Sequence, residues 1–386
     1  MRILSVSIKG YRSVDDVFLN LDGLNIFHGA NGVGKTNLYN ALKLVQAAAT
    51  GEFSRFIVRE GGMQSILSES STRNAERSKI IFEVRFSIFS DDDGYYSYGI
   101  TAGLVPQKTA FGEKIVLGDG FEFEPQIKTE KLIFHNGRKS HTLMFRENGF
   151  LKVMDREMAV LDMSNAIRLF PSATALSSLT DAERFPEVLR IKHEIMGWRF
   201  YHGFRTDIES PIRKPCYAVS DTVLHSSGAN LAAVLATQKY IVQDLDVVEE
   251  LIANTFGGAI LEISRPERTV SFGLRFPQSN RTSNAWELSD GTLQYICLAV
   301  ALTSSSLPPF IVLNEPDNSL HPDMLRSLAG LISSASKRSQ IWVVTHSPIL
   351  KDILEKSGTS KSRHVIKRGL HTWIEGLALN GEVNAF

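Results

Sequence analysis

The segment Gly29-Ala30-Asn31-Gly32-Val33-Gly34-Lys35-Thr36 leaves this chain few folds to choose from. The apolar run Leu24–Phe27 before it reads as a buried strand, and Leu38, Leu42 and Val45 after it recur at helical spacing. Strand, glycine-rich turn and helix therefore follow in direct succession. The glycines let backbone N–H groups turn inward around an anion, and the helix that follows aims the positive end of its dipole at the same point. The spacing is that of the phosphate-binding P-loop, in which a lysine reaches the β- and γ-phosphates of a nucleotide and a hydroxyl ligates Mg²⁺. Those residues are Lys35 and Thr36, with Lys35 expected exposed in its loop. A plain glycine-rich turn is the bland alternative, but it requires neither the Lys-Thr pair nor the strand–helix frame.

Upstream, Ile3, Val6 and Ile8 and then Val17, Leu19 and Leu21 alternate as strands do. Residues 79–150 read as an antiparallel sheet: Phe82, Val84, Phe86 and Ile88 alternate with Glu83, Arg85 and Ser87. Asn136-Gly137 is a two-residue hairpin signal. The adjacent Asp91, Asp92 and Asp93 could hold a metal, but turn chemistry favours a polar hairpin tip. Residues 155–259 read as mainly helical, broken near Pro211 and Pro215. From residue 288 the order helix, buried strand, helix, buried strand is α/β. The expected organisation is an N-terminal piece of a nucleotide core over 1–78, an inserted antiparallel β lobe over 79–154, a mainly helical lobe over 155–259, and the rest of the core over 260–386.

Three further segments carry chemistry. In Phe310-Ile-Val-Leu-Asn314-Glu315-Pro316 a buried strand delivers Asn314 and Glu315 at its carboxyl end, where open α/β sheets bind ligands. Glu315 there can polarise a water attacking a γ-phosphate, although a strand-terminal acid is often only an exposed edge. In Ile341-Trp-Val-Val-Thr-His346-Ser347 a second buried strand ends at His346, which could equally be a structural hydrogen-bonding group. Leu288-Ser289-Asp290-Gly291-Thr292 opens an apolar helix with Ser289 as its N-cap, and a capped N-terminus is also an anion site.

Composition narrows the class. With 42 basic and 42 acidic side chains the net charge is zero, so contact with nucleic acid needs a local patch. Arg55, Arg59, Arg73, Arg77 and Lys79 form a candidate patch, diluted by Glu52, Glu60, Glu69 and Glu76, and a solvated mixed surface is the simpler reading. Trp198, Phe200, Tyr201 and Phe204 beside Arg199 and Arg205 fit core packing better than base stacking. Two cysteines provide no disulfide framework, and neither a secretory h-region nor a membrane-length apolar run is present. A soluble cytoplasmic protein is expected.

Taken together, the P-loop, the LSDGT segment, the strand with Glu315, the SLHP loop and His346 resemble the ABC-type ATPase heads of the SMC, RecF and OLD group, in the same order. The N-terminal Gly10-Tyr11-Arg12-Ser13 is similar to that group too, as are REGGMQSIL, GWRFYHGFR, SSGANLAAVL and LNEPDNSLHP, which point to the predicted-ATPase branch near the OLD family. The resemblance implies ATP and Mg²⁺ as cofactors. It places Arg12, Ser13 and Gly29 through Asn37 (Gly29, Ala30, Asn31, Gly32, Val33, Gly34, Lys35, Thr36, Asn37) at the nucleotide, and Thr36, Gln64 and Asn314 at the metal. Glu315 becomes the general base, His346 the γ-phosphate sensor and Gln64 the residue near Mg²⁺ and the water. Asn318, Ser319 and Leu320 become a loop between protomers. Ser289 and Gly291 would touch the nucleotide of a second copy, so the resemblance implies a homodimer with ATP between heads. Asn314 stands where most of the group carries Asp, which suggests slow turnover. No long coiled coil is written in the chain, and the forty residues after His346 are too few for a Toprim nuclease, so DNA or a separate effector protein is the implied partner. The competing functions are an assembly clamp with negligible hydrolysis and, least favoured, a transporter ATPase subunit.

Overall fold

The computed structural model describes residues 1–68, 78–88, 94–104, 121, 123–154, 167–358, 360–378 and 381. The chain divides into two compact units: residues 1–21, 29–198 and 363–386 form the first, and residues 22–28 and 199–362 the second.

The first unit is built on an eight-stranded antiparallel sheet. Strands Arg2–Tyr11 and Val14–Asn20 form its N-terminal hairpin, and Lys79–Ser87 pairs with the free edge of Arg2–Tyr11, running from Arg2↔Ser87 to Lys9↔Ile81. Gly94–Gly103, Gln126–Asn136, Lys139–Glu147, Phe150–Val153 and Ile167–Arg168 follow in order. Residues 79–153 thus extend the N-terminal hairpin as one sheet, a different division from the four consecutive segments read in the sequence. The reason is the alternation itself: Phe82, Val84 and Phe86 bury on the same face as Val6 and Ile8. The Asn136–Lys139 pair closes a tight hairpin whose loop is Gly137-Arg138, one residue later than the Asn-Gly signal, with Gly137 at φ 57°. The Asp91–Asp93 tip lies outside the described residues, as do Arg73 and Arg77.

Helix Lys35–Thr50 buries Leu38, Leu42 and Val45, as its spacing predicts. Its Gln46 amide donates to the Trp198 carbonyl at 2.7 Å. The sheet also encloses a charged pair. Glu130 and Arg146 are both fully buried; Glu130 accepts from the Ala175 and Leu176 amides at 2.5 and 2.9 Å and from the Tyr98 hydroxyl at 2.8 Å. Arg146 donates to the carbonyls of Ala173, Phe170 and Pro171. Those bonds fasten residues 170–176 to the sheet and satisfy the Glu130 carboxylate and the two terminal nitrogens of Arg146, while Arg146 Nε has no partner.

The second unit contains four parallel strands in the order Arg199–His202, Phe310–Asn314, Gln340–Thr345, Leu24–His28. Each of the last three is buried along its length, as a parallel strand covered on both faces must be, except that His28 is partly exposed. Phe27 stacks on Trp342 with centroids 3.9 Å apart. Helix Asp290–Thr303 is buried continuously from Leu293 to Leu302 at the centre of this unit's core. Across 155–259 the described residues hold only short helices, Ala175–Ser178, Pro186–Met196, Leu231–Thr237 and Asp246–Thr255, with a π-turn at Gln238–Val242 and much irregular chain. The stretch read as one helical lobe is split between the units after Trp198. The aromatic group Trp198, Phe200, Tyr201 and Phe204 is core, as expected. Among the described residues no helix is long and apolar enough to cross a membrane.

Candidate functional site

The glycine-rich loop closes on itself around the Lys35 side chain. Lys35 is the first residue of its helix and only 5% exposed, contrary to the expectation of an exposed lysine. Its ammonium donates to the carbonyls of Gly29 and Ala30 at 2.8 and 2.7 Å, and so sits inside the loop. Gly34, at φ 94°, cannot be replaced without collision: a Cβ there would lie 1.9 Å from Thr372 Oγ1 and 2.6 Å from Ser13 Oγ. These two hydroxyls lie 2.6 Å apart, and the Asn37 amide donates to Ser13 at 2.7 Å. Thr372 donates to the Val33 carbonyl at 2.8 Å, and its own N–H donates to the Ser13 carbonyl at 2.6 Å. Ser13, Val33, Gly34 and Asn37 are thereby brought together, with Thr372 as the buried centre of the network. At the loop's first glycine a Cβ would meet the Val365 carbonyl at 2.3 Å. Ala30, Asn31, Gly32 and Thr36 remain exposed along the loop.

In the second unit, Glu315 follows the last residue of its strand and takes the left-handed φ of 51°. Its N–H donates to the Val344 carbonyl at 2.7 Å, which fixes this turn against the neighbouring strand. His346 Nε2 donates to Oε1 at 2.7 Å, and Asn318 Nδ2 donates to Oε2 at 2.7 Å. Burial pushes the Glu315 carboxyl upward, but the bonds from His346 and Asn318, with the charges of His346 and His202, outweigh it and hold the group below the ordinary carboxylate range. The carboxylate is thus oriented by two hydrogen bonds and partly exposed, within reach of solvent.

Over residues 24–352 the chain matches the family described as AAA domain, putative AbiEii toxin, Type IV TA system. The chain belongs to that family. Among curated proteins it is similar to the DNA replication and repair protein RecF of Chloroherpeton thalassium, 51% identical over 43 residues, which are 11% of this chain and 12% of that protein. It is also similar to RecF of Renibacterium salmoninarum, 30% identical over 90 residues, 22% of this chain and 23% of that one. The chain thus matches under a quarter of the length of these relatives. Among solved structures it resembles an SMC head bound to the C-winged helix domain of ScpA, with TM-score 0.56, 14% identity, and 98% and 99% of the two chains covered. It also resembles an SMC head with an extended coiled coil bound to the C-terminal domain of ScpA derived from Pyrococcus furiosus, at TM-score 0.53, 14% identity, and 98% and 97% coverage. The fold is therefore that of an ABC-type P-loop head, a mixed α/β architecture, and with the family match it supports membership of the SMC/RecF group of ATPases.

Other residues expected at the site have different settings. The Arg12 guanidinium is paired with Glu60, and Arg12 itself sits at φ 50° with its N–H on the Ile66 carbonyl at 2.7 Å. Gln64 lies exposed on the short helix Gly62–Ile66, the segment that this Arg12 bond holds. Ser289 is the N-cap of its helix, its hydroxyl accepting from the Thr292 N–H at 3.2 Å. Gly291 is needed for packing, because a Cβ there would stand 2.5 Å from the Ser319 carbonyl oxygen. Ser319 is itself left-handed, at φ 64°, and Leu320 packs on the unit's core. Asn314 is 1% exposed and its amide meets the His202 ring. Asn314 Oδ1 is buried without a hydrogen-bond partner. In the second unit an orphaned buried acceptor suits a strong donor such as a metal-bound water, and in the first the glycine cradle with its enclosed ammonium suits phosphate. Sequence reasoning missed Thr372 and His202.

Proposed function

We propose that this chain binds MgATP through the Gly29–Asn37 loop, hydrolyses it slowly with Glu315 as general base, and pairs with a second copy of itself when ATP is bound. Thr36 would ligate the ion and Asn314 would support its water shell; Gln64, exposed on a held segment, is the third candidate at the metal. The ion would neutralise charge developing on the phosphates. His346 orients the base and senses the γ-phosphate, while Ser289 and Gly291 address the nucleotide of the partner copy. ATP would then gate a surface acting on DNA or on a separate effector, in DNA maintenance or phage defence; the relatives named for DNA replication and repair support the DNA half. The observation that carries the reading is the Glu315 carboxylate held at 2.7 Å by both His346 and Asn318 at the end of a buried parallel strand. The test is steady-state ATP turnover of the wild type against Glu315→Gln, alongside ATP binding. Turnover that falls while binding persists supports it; equal turnover removes Glu315 from the role.

One observation favours a second reading, a nucleotide-controlled clamp with negligible hydrolysis. Asn314 brings no charge to the ion's outer shell, and both Glu315 oxygens already accept hydrogen bonds. Wild-type turnover no greater than that of Glu315→Gln, with ATP still driving assembly, would select it. For DNA, Arg55 is 81% exposed though paired with Glu52 at 2.8 Å, so contact there would be electrostatic. Binding that requires a non-hydrolysable ATP analogue and weakens steeply with salt is the expected result.

A further inference from the structure

Arg213 makes a set of bonds that the motifs above do not explain. It ends the short 3₁₀ turn Pro211–Arg213, and its side chain is 9% exposed. Its guanidinium donates to the carbonyls of Thr206 at 2.7 Å, Ala285 at 3.2 Å, Trp286 at 3.0 Å and Leu288 at 2.7 Å, and to the Asp290 carboxylate at 2.7 Å. Four of these five acceptors lie in residues 285–290, which lead into Ser289 and its helix. Ala285–Glu287 is a 3₁₀ turn with its own capping box from Asn284 and Glu287, so the carbonyls at its end point away from it and need an outside donor. Arg213 supplies that donor to three carbonyls of this stretch while pairing with the first helical residue, Asp290. A planar fork with five N–H groups can bridge several carbonyls and a carboxylate at once. The same stretch of chain is anchored at two more points: the Phe204 N–H donates to Gln294 of the helix at 3.1 Å, and His202 meets Asn314.

We propose that Arg213 is the positioning residue of the Leu288–Thr292 turn, and that it sets where Ser289 and Gly291 stand when a second copy of the chain presents its nucleotide. The functional half rests on the dimer reading given above; the positioning half does not.

The experiment compares Arg213→Met, Arg213→Lys and Asp290→Asn in the full-length chain. Amide hydrogen exchange of residues 288–293 reads the positioning directly, without nucleotide. Arg213→Met is expected to raise exchange there at least about ten-fold, since several charge-assisted bonds are lost together, with Lys and Asp290→Asn in between. ATP-driven dimerisation, measured by light scattering in a Glu315→Gln background, is expected to weaken at least about ten-fold in Arg213→Met and to recover in part in Arg213→Lys. ATP affinity of the separate chains should stay within about two-fold of wild type, because the P-loop lies in the other unit. Unchanged exchange in Arg213→Met overturns the proposal outright. Raised exchange with wild-type dimerisation overturns its functional half. A wild type that stays monomeric with ATP overturns the dimer reading instead, and the exchange result still decides whether Arg213 positions the turn.

Discussion

Gly34→Ala is the sharpest test of the cradle, because a second glycine in the same loop serves as its control. Gly34 and Gly32 both have positive φ, 94° and 76°, so an alanine at either costs about 1 kcal/mol of backbone strain. They differ in what a Cβ meets. At Gly32 nothing lies within 4 Å, whereas at Gly34 the Thr372 hydroxyl is 1.9 Å away and the Ser13 hydroxyl 2.6 Å. The hydroxyls must move, and the Ser13–Thr372 and Thr372–Val33 bonds go with them, at about 1 kcal/mol each. Gly34→Ala should therefore cost about 3 kcal/mol and Gly32→Ala about 1, a gap of roughly 2 kcal/mol between two chemically identical changes. Urea unfolding of both variants, followed by a probe in the first unit, measures the gap. ATP titration should show the greater loss of affinity for Gly34→Ala. Equal stabilities would refute the reasoning, since they would mean that the Ser13–Thr372–Val33 network does not support the loop.

Four other outcomes follow from the site. Glu315→Gln should lower turnover by about 10²-fold or more while preserving ATP binding, and undiminished turnover would reassign the base. The Glu315 carboxyl is held below its ordinary range, so its contribution to stability is fully present above the unfolded-state value and is lost as pH falls through the lower folded-state value. Wild type should accordingly lose more stability than Glu315→Gln on acidification through that window; parallel pH curves would contradict the hydrogen-bond assignment. Asn314→Asp should let ATP bind at lower Mg²⁺, because it adds charge beside the orphaned acceptor position, and an unchanged Mg²⁺ requirement in isothermal titration would remove Asn314 from the metal's surroundings. Ser289→Arg should leave ATP binding intact and abolish ATP-driven dimers in light scattering, whereas dimers at wild-type strength would refute a role for this turn between copies.

What could be read in advance was local. The P-loop, the helix after it, the alternation of Phe82, Val84 and Phe86, and the N-cap at Ser289 are each determined within a few residues, and each is found where its chemistry requires. The strand Arg199–His202 escaped because four residues carry no usable period, and its aromatic content is explained equally well by a helix face. Thr372 could not be found from spacing: it reaches Ser13 across 359 positions in sequence, and a threonine in a hairpin carries no signal of its own. Glu130 and Arg146 sit on strands where charge normally marks the solvent side; they are buried because each satisfies the other's surroundings, a condition visible only once the strands are paired. The two-unit division differs from the consecutive lobes read in the sequence for the same reason, since which edge strand Lys79–Ser87 would join is a long-range choice.

Backbone strain marks the same places that the motifs mark. Among the described residues five non-glycine positions have positive φ: Arg12, Asn148, Gln243, Glu315 and Ser319. Asn148 precedes Gly149 in a hairpin turn, and Gln243 closes a helical turn, both ordinary uses of the conformation. The other three belong to segments singled out for chemistry. Two of them are held there by bonds internal to the protein, Arg12 by the Ile66 carbonyl and Glu60, and Glu315 by Val344, His346 and Asn318, while the Ser319 carbonyl packs close to Gly291. Strain of about 1–3 kcal/mol per residue is thus offset without help from a ligand. A base and a turn fixed in this way need not reorganise when a nucleotide arrives, which is the structural requirement for electrostatic catalysis by oriented groups. The backbone at Glu315 is set by the strand next to it, not by the residue at 314, so on the proposed reading an asparagine there leaves the proposed base in its geometry.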